Sequence, residues 1–313
     1  MKLIKGNGAP SSKTIGNKND IYIDVDNDVV YECFGTNNPG RDLGFVITYN
    51  HADQEYVWKT VGVDVDALIA GTITELKSGA EVIGENIFQN YSALTSVEFP
   101  NATTIGDQAF MRCFALTSVE FPNATTVGNA AFQQCSALTS VEFPNATTIC
   151  GSAFNNCSAL TSVDFPNATT IGDNAFQSCS ALASVRFPNA TSAGTWVFQN
   201  CLTLASVDLP KVTYINSFVF MACRSLTSLI LRSESLCSLS SGPTFTECFH
   251  FHGTVDATYN PDGLKDGYIY VPSALIEDYK VATNWVSLAS QFRALEDYTV
   301  DGTVTGALDP NKI

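Results

Sequence analysis

The sequence predicts an α/β fold: a right-handed solenoid of 22-residue repeats with one short parallel strand per turn, a small N-terminal β module and a helical C-terminal cap. Three observations carry this expectation. Leu94, Leu116, Leu138, Leu160, Leu182, Leu204 and Leu226 recur in one phase, as do Phe88, Phe110, Phe132, Phe154, Phe176, Phe198 and Phe220. Each unit holds an L-x-x-V-x-F run, in which Val97 and Phe99 sit two apart and so share one face of a strand. The segments before and after the repeat lose its phase and read as end units that close a stacked core.

Residues 1–62 read as the β module. Ile21–Val25 and Val29–Phe34 flank the polar Asp26–Asp28 and predict a hairpin, with further strands expected at Phe45–Tyr49 and Tyr56–Trp58. Residues 63–250 read as the solenoid, with Asp64–Glu85 a degenerate first repeat because Ile83, Gly84 and Phe88 are already in phase. Within each unit Pro100 or its equivalent ends the strand, having no N–H to donate. Ile105, Ala109 and Phe110 follow the Gly106 turn at a spacing that predicts a short helical or 3₁₀ segment. Phe245 and Cys248 arrive three residues late, so the last unit is degenerate too. Residues 251–313 read as cap and tail. Gly267–Pro272 is a last strand, Ser273 an N-cap for a helix over Ala274–Ala282, and Trp285–Leu295 a second helix.

The unit L-x-x-V-x-F-P-x-A-T-x-I-G-x-x-A-F-x-x-C resembles the BspA-type (Treponema-type) leucine-rich repeats of bacterial surface and prophage-encoded proteins, over about residues 72–250. The resemblance implies a curved, non-enzymatic scaffold for adhesion or recognition, with the strand face as the recognition surface. The N-terminal run from Gly6 to Lys59 is similar, less specifically, to small β modules of phage tail and prophage structural proteins. The run Ile269–Trp285 resembles the helical cap of prophage-type members.

Composition narrows the function classes. Of 313 residues only 15% are charged, and 31 acids against 16 Lys and Arg leave a formal charge of −15. Phosphate backbones would repel such a chain, so no nucleic-acid partner is expected. No apolar run approaches the ~20 residues of a membrane span, so no membrane insertion is expected either. Met1–Gly8 lacks the apolar stretch of a secretory leader, so either the chain stays inside, or it leaves by lysis or another route after cytoplasmic synthesis, or a leader precedes this sequence.

Alternation points Ser96 and Glu98 away from the core, and the same holds for Ser118 and Glu120, Ser140 and Glu142, Ser162 and Asp164, then Arg186, Asp208 and Ile230. These outward residues, from Ser96 to Asp208, are the candidate ligand-binding positions. Like charges at rung spacing repel by ~0.2–1 kcal/mol each, so the column is either solvated or offset by cations or a basic partner. Cys113, Cys135, Cys157, Cys179, Cys201 and Cys223 form another column. Their Cβ vectors run parallel and no C-x-x-C pair exists, so a buried row of reduced thiols is expected in place of disulfides or zinc. Cys33, Cys150, Cys237 and Cys248 stay open.

Asp24, Asp26 and Asp28 begin like a calcium loop, but Val29 and Gly35 stand where Gly and Glu belong, so a hairpin turn is expected. The N-A-T runs at Asn101, Asn123, Asn145, Asn167 and Asn189, and the sequons at Asn90 and Asn156, match glycosylation acceptors. Period-locking favours corner chemistry for the N-A-T set, with Asn and Thr satisfying backbone groups. His51, His250 and His252 belong to no catalytic motif, and Cys248, His250 and His252 lack a fourth metal ligand. The expectation is a protein without catalytic residues, cofactor or metal. Its partner would be a protein or glycan on a cell surface, its location a virion or the bacterial cell surface and its surroundings. A virion fibre would be expected to form a trimer, and an intracellular interaction scaffold is the remaining alternative.

Overall fold

The computed structural model describes residues 74–77, 81–242, 244–248 and 267–297, together with strands at 2–6, 21–24, 29–33, 45–46, 49–50, 55–56, 299–300 and 303–304. The repeats form a parallel β-solenoid. Each turn opens on a three-residue strand, from Glu75–Lys77 and Ser96–Glu98 to Ser228–Ile230, and these strands stack into one parallel sheet. That sheet continues through Tyr268–Val271 and Phe292–Ala294.

Each turn also carries a second, two-residue strand, from Val82–Ile83 and Thr104–Ile105 to Ser238–Leu239. These stack into a second parallel sheet, where the sequence led us to expect a single strand per turn. Lys2–Gly6 pairs with Val82–Ile83 and with Ile21–Asp24, and Ile21–Asp24 pairs antiparallel with Val29–Cys33. The hairpin read from the sequence is thus a continuation of the second sheet. The side chains of Cys33, Asp24, Asp26 and Asp28, and all three histidines, lie outside the described residues.

The helical segment expected after Gly106 is absent, and its place is taken by consecutive tight turns. The reason is visible in the amides. Ala109, Met111 and Cys113 donate back three residues, while Gln108, Phe110 and Arg112 donate at 2.7–2.8 Å to the following turn of the solenoid. A helix would direct every N–H along its own axis and leave the inter-turn acceptors unpaired. The alternation requires two left-handed residues per turn, such as Gln108 (φ 56) and Arg112 (φ 64), or Ala130 (φ 53) and Gln134 (φ 64). Where two glycines open this segment on successive turns they pack closely, and a Cβ on Gly128 would lie 2.6 Å from the carbonyl carbon of Gly106; Cys150 and Asn216 take the same place in other turns.

The core consists of ladders one residue wide. Phe88, Phe110, Phe132 and Phe154 stack at 5.2–5.4 Å, and Phe99, Phe121, Phe143 and Phe165 form a second stack at 5.5–5.8 Å beside it. Each ladder cysteine donates its Sγ–H to the carbonyl of the phenylalanine 25 residues earlier, as in Cys157 to Phe132 at 3.1 Å. The described cysteines are all free thiols, and the six ladder members are buried. Cys248 also belongs to the row: it donates to Phe220, and Phe245 stacks on Phe220 at 5.5 Å, so the three-residue insertion is absorbed outside the ladder.

Corner chemistry accounts for the N-A-T runs. Asn123, Asn145, Asn167 and Asn189 donate Nδ2 to the carbonyls of Pro100, Pro122, Pro144 and Pro166 at 2.7–2.8 Å. Thr103, Thr125, Thr147 and Thr169 donate Oγ1 to the residue 22 earlier.

At the C-terminal end Ile276–Val281 is an α-helix preceded by a 3₁₀ turn at Ser273–Leu275. Ser273 does not cap it; its hydroxyl bonds Glu296 at 3.3 Å. The second expected helix is a 3₁₀ turn at Val286–Gln291 followed by the strand Phe292–Ala294, because the open edge of Tyr268–Val271 offers pairing that a helix would forgo. The cap seals the second sheet through side chains. The Cys237 amide donates to the Tyr279 hydroxyl (2.8 Å), and Trp285 Nε1 and Asn284 Nδ2 donate to Cys237 and Leu239 carbonyls (2.7 Å each).

Candidate recognition face

The expected outward residues share one face of the first sheet. Serines occupy one column, with Ser96 opposite Ser118, Ser140 opposite Ser162 and Ser206 opposite Ser228. The second column runs Glu98, Glu120, Glu142, Asp164, Arg186 and Asp208, each paired in register with the next. The valines between the columns point inward, so alternation alone sets this face. Ser118, Glu120, Ser140, Glu142, Ser162 and Asp164 are exposed, while Ser96, Glu98, Arg186, Ser206 and Asp208 are half-buried. A groove of about 490 Å³ runs over the N-terminal half, lined by Glu75, Ser96, Glu98, Ser118, Glu120 and Glu142 among others.

Charge changes along the column. Arg186 Nη1 meets Asp164 at 3.1 Å, and Arg232 Nε meets Asp208 at 2.8 Å. Burial raises the Asp208 carboxyl above the ordinary carboxylate value more than the neighbouring Arg232 lowers it. Among the described residues Glu120 and Glu142 have no ion-pair partner. The side chain of Arg232 is 7% exposed, and its Nη1 has no hydrogen-bond partner. Ile230, expected to continue the exposed column, is instead 2% exposed. Beyond it the face ends on aromatic side chains: Tyr268 and Tyr270 pack edge to face at 6.3 Å, and the Arg293 guanidinium sits 4.2 Å from the Tyr268 ring centroid.

Sequence reading missed Arg232, Tyr268, Tyr270 and Arg293. The signal for Arg232 was available, since it interrupts the column of corner prolines that ends at Pro210. The two tyrosines flank Ile269 in a period-two run, but nothing in the sequence says that this strand joins the same sheet.

Nothing in this face resembles a catalytic arrangement of acid, base and nucleophile. Burial pushes the thiols of Cys113 and Cys179 up to about 12, so they are protonated at neutral pH and unreactive. Among the described residues no group of three or more His, Cys, Asp or Glu side chains could hold a metal ion.

Comparison with known proteins agrees with this architecture. The family described as BspA type leucine rich repeat region matches residues 71–170 and 147–252, in six copies. No curated protein matches the chain. Among solved structures the chain is similar to a leucine-rich repeat protein from Bacteroides ovatus, with 19% identity over 71% of this chain and 84% of that one, at a TM-score of 0.32. A T. pallidum leucine rich repeat protein is 26% identical over 50% of this chain and 65% of that one, TM-score 0.36. A leucine-rich repeat protein from Eubacterium ventriosum is 21% identical over 78% and 62%, TM-score 0.48. With the repeat matched over more than half its length, the chain belongs to the BspA-type leucine-rich repeat family.

Proposed function

We propose that the chain is a non-enzymatic recognition protein that binds a basic segment of another protein along the strand face, at a bacterial surface. The observation that carries this reading is the unbalanced centre of the acidic column. Glu120 and Glu142 stand exposed in register, while the rungs beyond them are neutralised by Arg186 and Arg232. Stacked like charges oppose folding by ~0.2–1 kcal/mol per pair, a cost that a Lys- or Arg-bearing partner would offset. Tyr and Arg, here Tyr268, Tyr270 and Arg293, are the residue types that most often anchor protein interfaces.

The test is sedimentation of the labelled chain with intact bacterial cells, at low and high salt, beside the double variant Glu120→Lys, Glu142→Lys. Loss of binding and of its salt sensitivity in the variant supports the reading. Unchanged binding at every salt concentration moves the site elsewhere.

The same function at a virion surface is a second reading, favoured by the similarity of the N-terminal run to phage tail modules. Stoichiometric recovery of the chain with particles released after prophage induction would support it. Recovery with the cell envelope alone would reject it.

A further inference from the structure

A second groove, of about 770 Å³, runs along the corner between the two sheets, away from the strand face. Its walls repeat every 22 residues: Asn123, Asn145 and Asn167 form one row, Thr103, Thr125 and Thr147 another, and Glu81 closes one end. The groove therefore follows the solenoid axis over four rungs, or roughly 14 Å. Apart from Glu81 its lining is neutral, and it contains no apolar side chain.

The polar groups are aimed before any ligand arrives. Each asparagine holds one amide hydrogen on a proline carbonyl at 2.7–2.8 Å, which leaves its second N–H and its Oδ1 for an outside partner. Each threonine donates to the preceding turn at 3.1–3.2 Å and keeps its oxygen lone pairs. Among the described residues nothing donates to Oδ1 of Asn123, Asn145 or Asn167. In the next turn the corresponding acceptor is used: Lys211 Nζ lies 2.5 Å from Asn189 Oδ1. The groove lining stops at Asn167, one rung before that contact. The chain's own ammonium thus occupies at Asn189 the position that stands open in the three preceding rungs.

We propose that this corner groove binds a linear, neutral, polyhydroxylated chain, a glycan, laid along the solenoid axis. Rows of fixed neutral donors and acceptors match sugar hydroxyls, which both give and accept hydrogen bonds on every ring. An extended peptide fits poorly: its rise of ~3.3 Å per residue falls out of step with the ~4.8 Å rungs, and no apolar pocket takes its side chains. A polyanionic glycan is disfavoured by a chain of net charge −15. Pre-aimed groups lose little freedom on binding, so affinity comes from many modest contacts.

The test is native affinity electrophoresis of the full chain through gels containing hydroxyethyl cellulose, laminarin, dextran or soluble chitin oligosaccharides. Retardation by at least one polymer, insensitive to salt, is expected. The variant Asn145→Lys copies the substitution that the solenoid already carries at Lys211, so it should fold with unchanged circular dichroism while plugging the groove. It should weaken retardation at least about tenfold. The converse variant Lys211→Asn reopens the Asn189 acceptor and should strengthen binding of longer oligomers. Glu120→Lys with Glu142→Lys should leave retardation unchanged, which separates this site from the strand face. No retardation by any polymer, retardation that salt abolishes, or retardation indifferent to Asn145→Lys would each overturn the proposal.

Discussion

Phe132→Ala probes the phase of the whole repeat. Phe132 is fully buried, stacked on Phe110 at 5.3 Å and on Phe154 at 5.4 Å, edge to face with Phe121 and tilted against Phe143, both at 6.0 Å. A phenylalanine buries ~150–250 Å², which at ~25 cal/mol/Å² is worth about 4–6 kcal/mol. Alanine retains part of that area, but the cavity it leaves adds a cost, so a loss of about 4 kcal/mol is expected. Its neighbours cannot collapse into the gap without breaking two ring stacks and the inter-turn amide bonds of Phe132 itself. Because each turn touches only its neighbours, weakening a central rung should also loosen the coupling between the two halves of the stack. Urea unfolding followed by far-ultraviolet circular dichroism reads both effects, as a lower midpoint and a broader transition. Phe114→Ala is the matched control: Phe114 is 48% exposed, and its loss should cost under about 0.5 kcal/mol. A Phe132→Ala loss below about 1 kcal/mol, or equal losses in both variants, would refute the ladder assignment.

Three further outcomes are expected. The thiol ladder should make the fold labile in alkali: Cys113 and Cys179 titrate at about 12 in the fold against an ordinary 9.0, so the folded state binds the proton more tightly, and stability present below 9.0 is lost as pH rises toward 12. The unfolding free energy from urea titration under reducing conditions should fall through that window, by up to ~1.4 kcal/mol per pH unit for each thiol, and a flat profile would refute the burial of the row. Ala130→Asn should raise stability by about 0.5–1 kcal/mol, because Ala130 is held at φ 53 where asparagine is better tolerated; a lower urea midpoint would count against it. Trp285→Phe should cost about 1–3 kcal/mol by leaving the buried Cys237 carbonyl without its donor, and a midpoint within error of the parent would mean that the cap does not seal the stack through this bond.

Sequence reading recovered the features that repeat and stumbled where one local rule had several physical solutions. Val97 with Phe99 sets a strand face by period two, and the Leu, Phe and Cys columns set the rung, so the core and the outward residues from Ser96 to Asp208 were legible. Thr104 and Ile105 gave no sign of a second strand, because two residues cannot display a period. The spacing of Ile105, Ala109 and Phe110 suits a helix as well as a chain of turns. Only the inter-turn bonds of Gln108, Phe110 and Arg112 decide between them, and those belong to the stack, not to the unit. The same holds at the cap: Phe292–Ala294 becomes a strand because an edge lies beside it.

A solenoid of this kind separates two sets of positions by physics. Inward positions answer to both neighbouring rungs at once, so Phe132 or Cys157 cannot change alone without opening a gap in a ladder. Outward positions answer mainly to solvent and partners, and there a break in the repeat costs little. Arg186 in the acidic column and Lys211 in the asparagine column are breaks of that sort, whereas Arg232 breaks the proline column with a side chain buried against Asp208. Each places a cation against an acceptor on an earlier turn: Arg186 on Asp164, Arg232 on Asp208 and Lys211 on Asn189. All three lie in the C-terminal part of the stack. Among the described residues Glu120 and Glu142 therefore stand without an ion pair and Asn123, Asn145 and Asn167 with an open Oδ1, while farther on the chain closes the acidic column from Asp164 and the asparagine row one rung later, at Asn189. The two open stretches overlap at Glu120 with Asn123 and Glu142 with Asn145, so the two proposed sites lie on adjacent faces of the same rungs. A partner protein on the strand face and a glycan in the corner groove could thus be held side by side, and Lys211→Asn should lengthen the second site without altering the first.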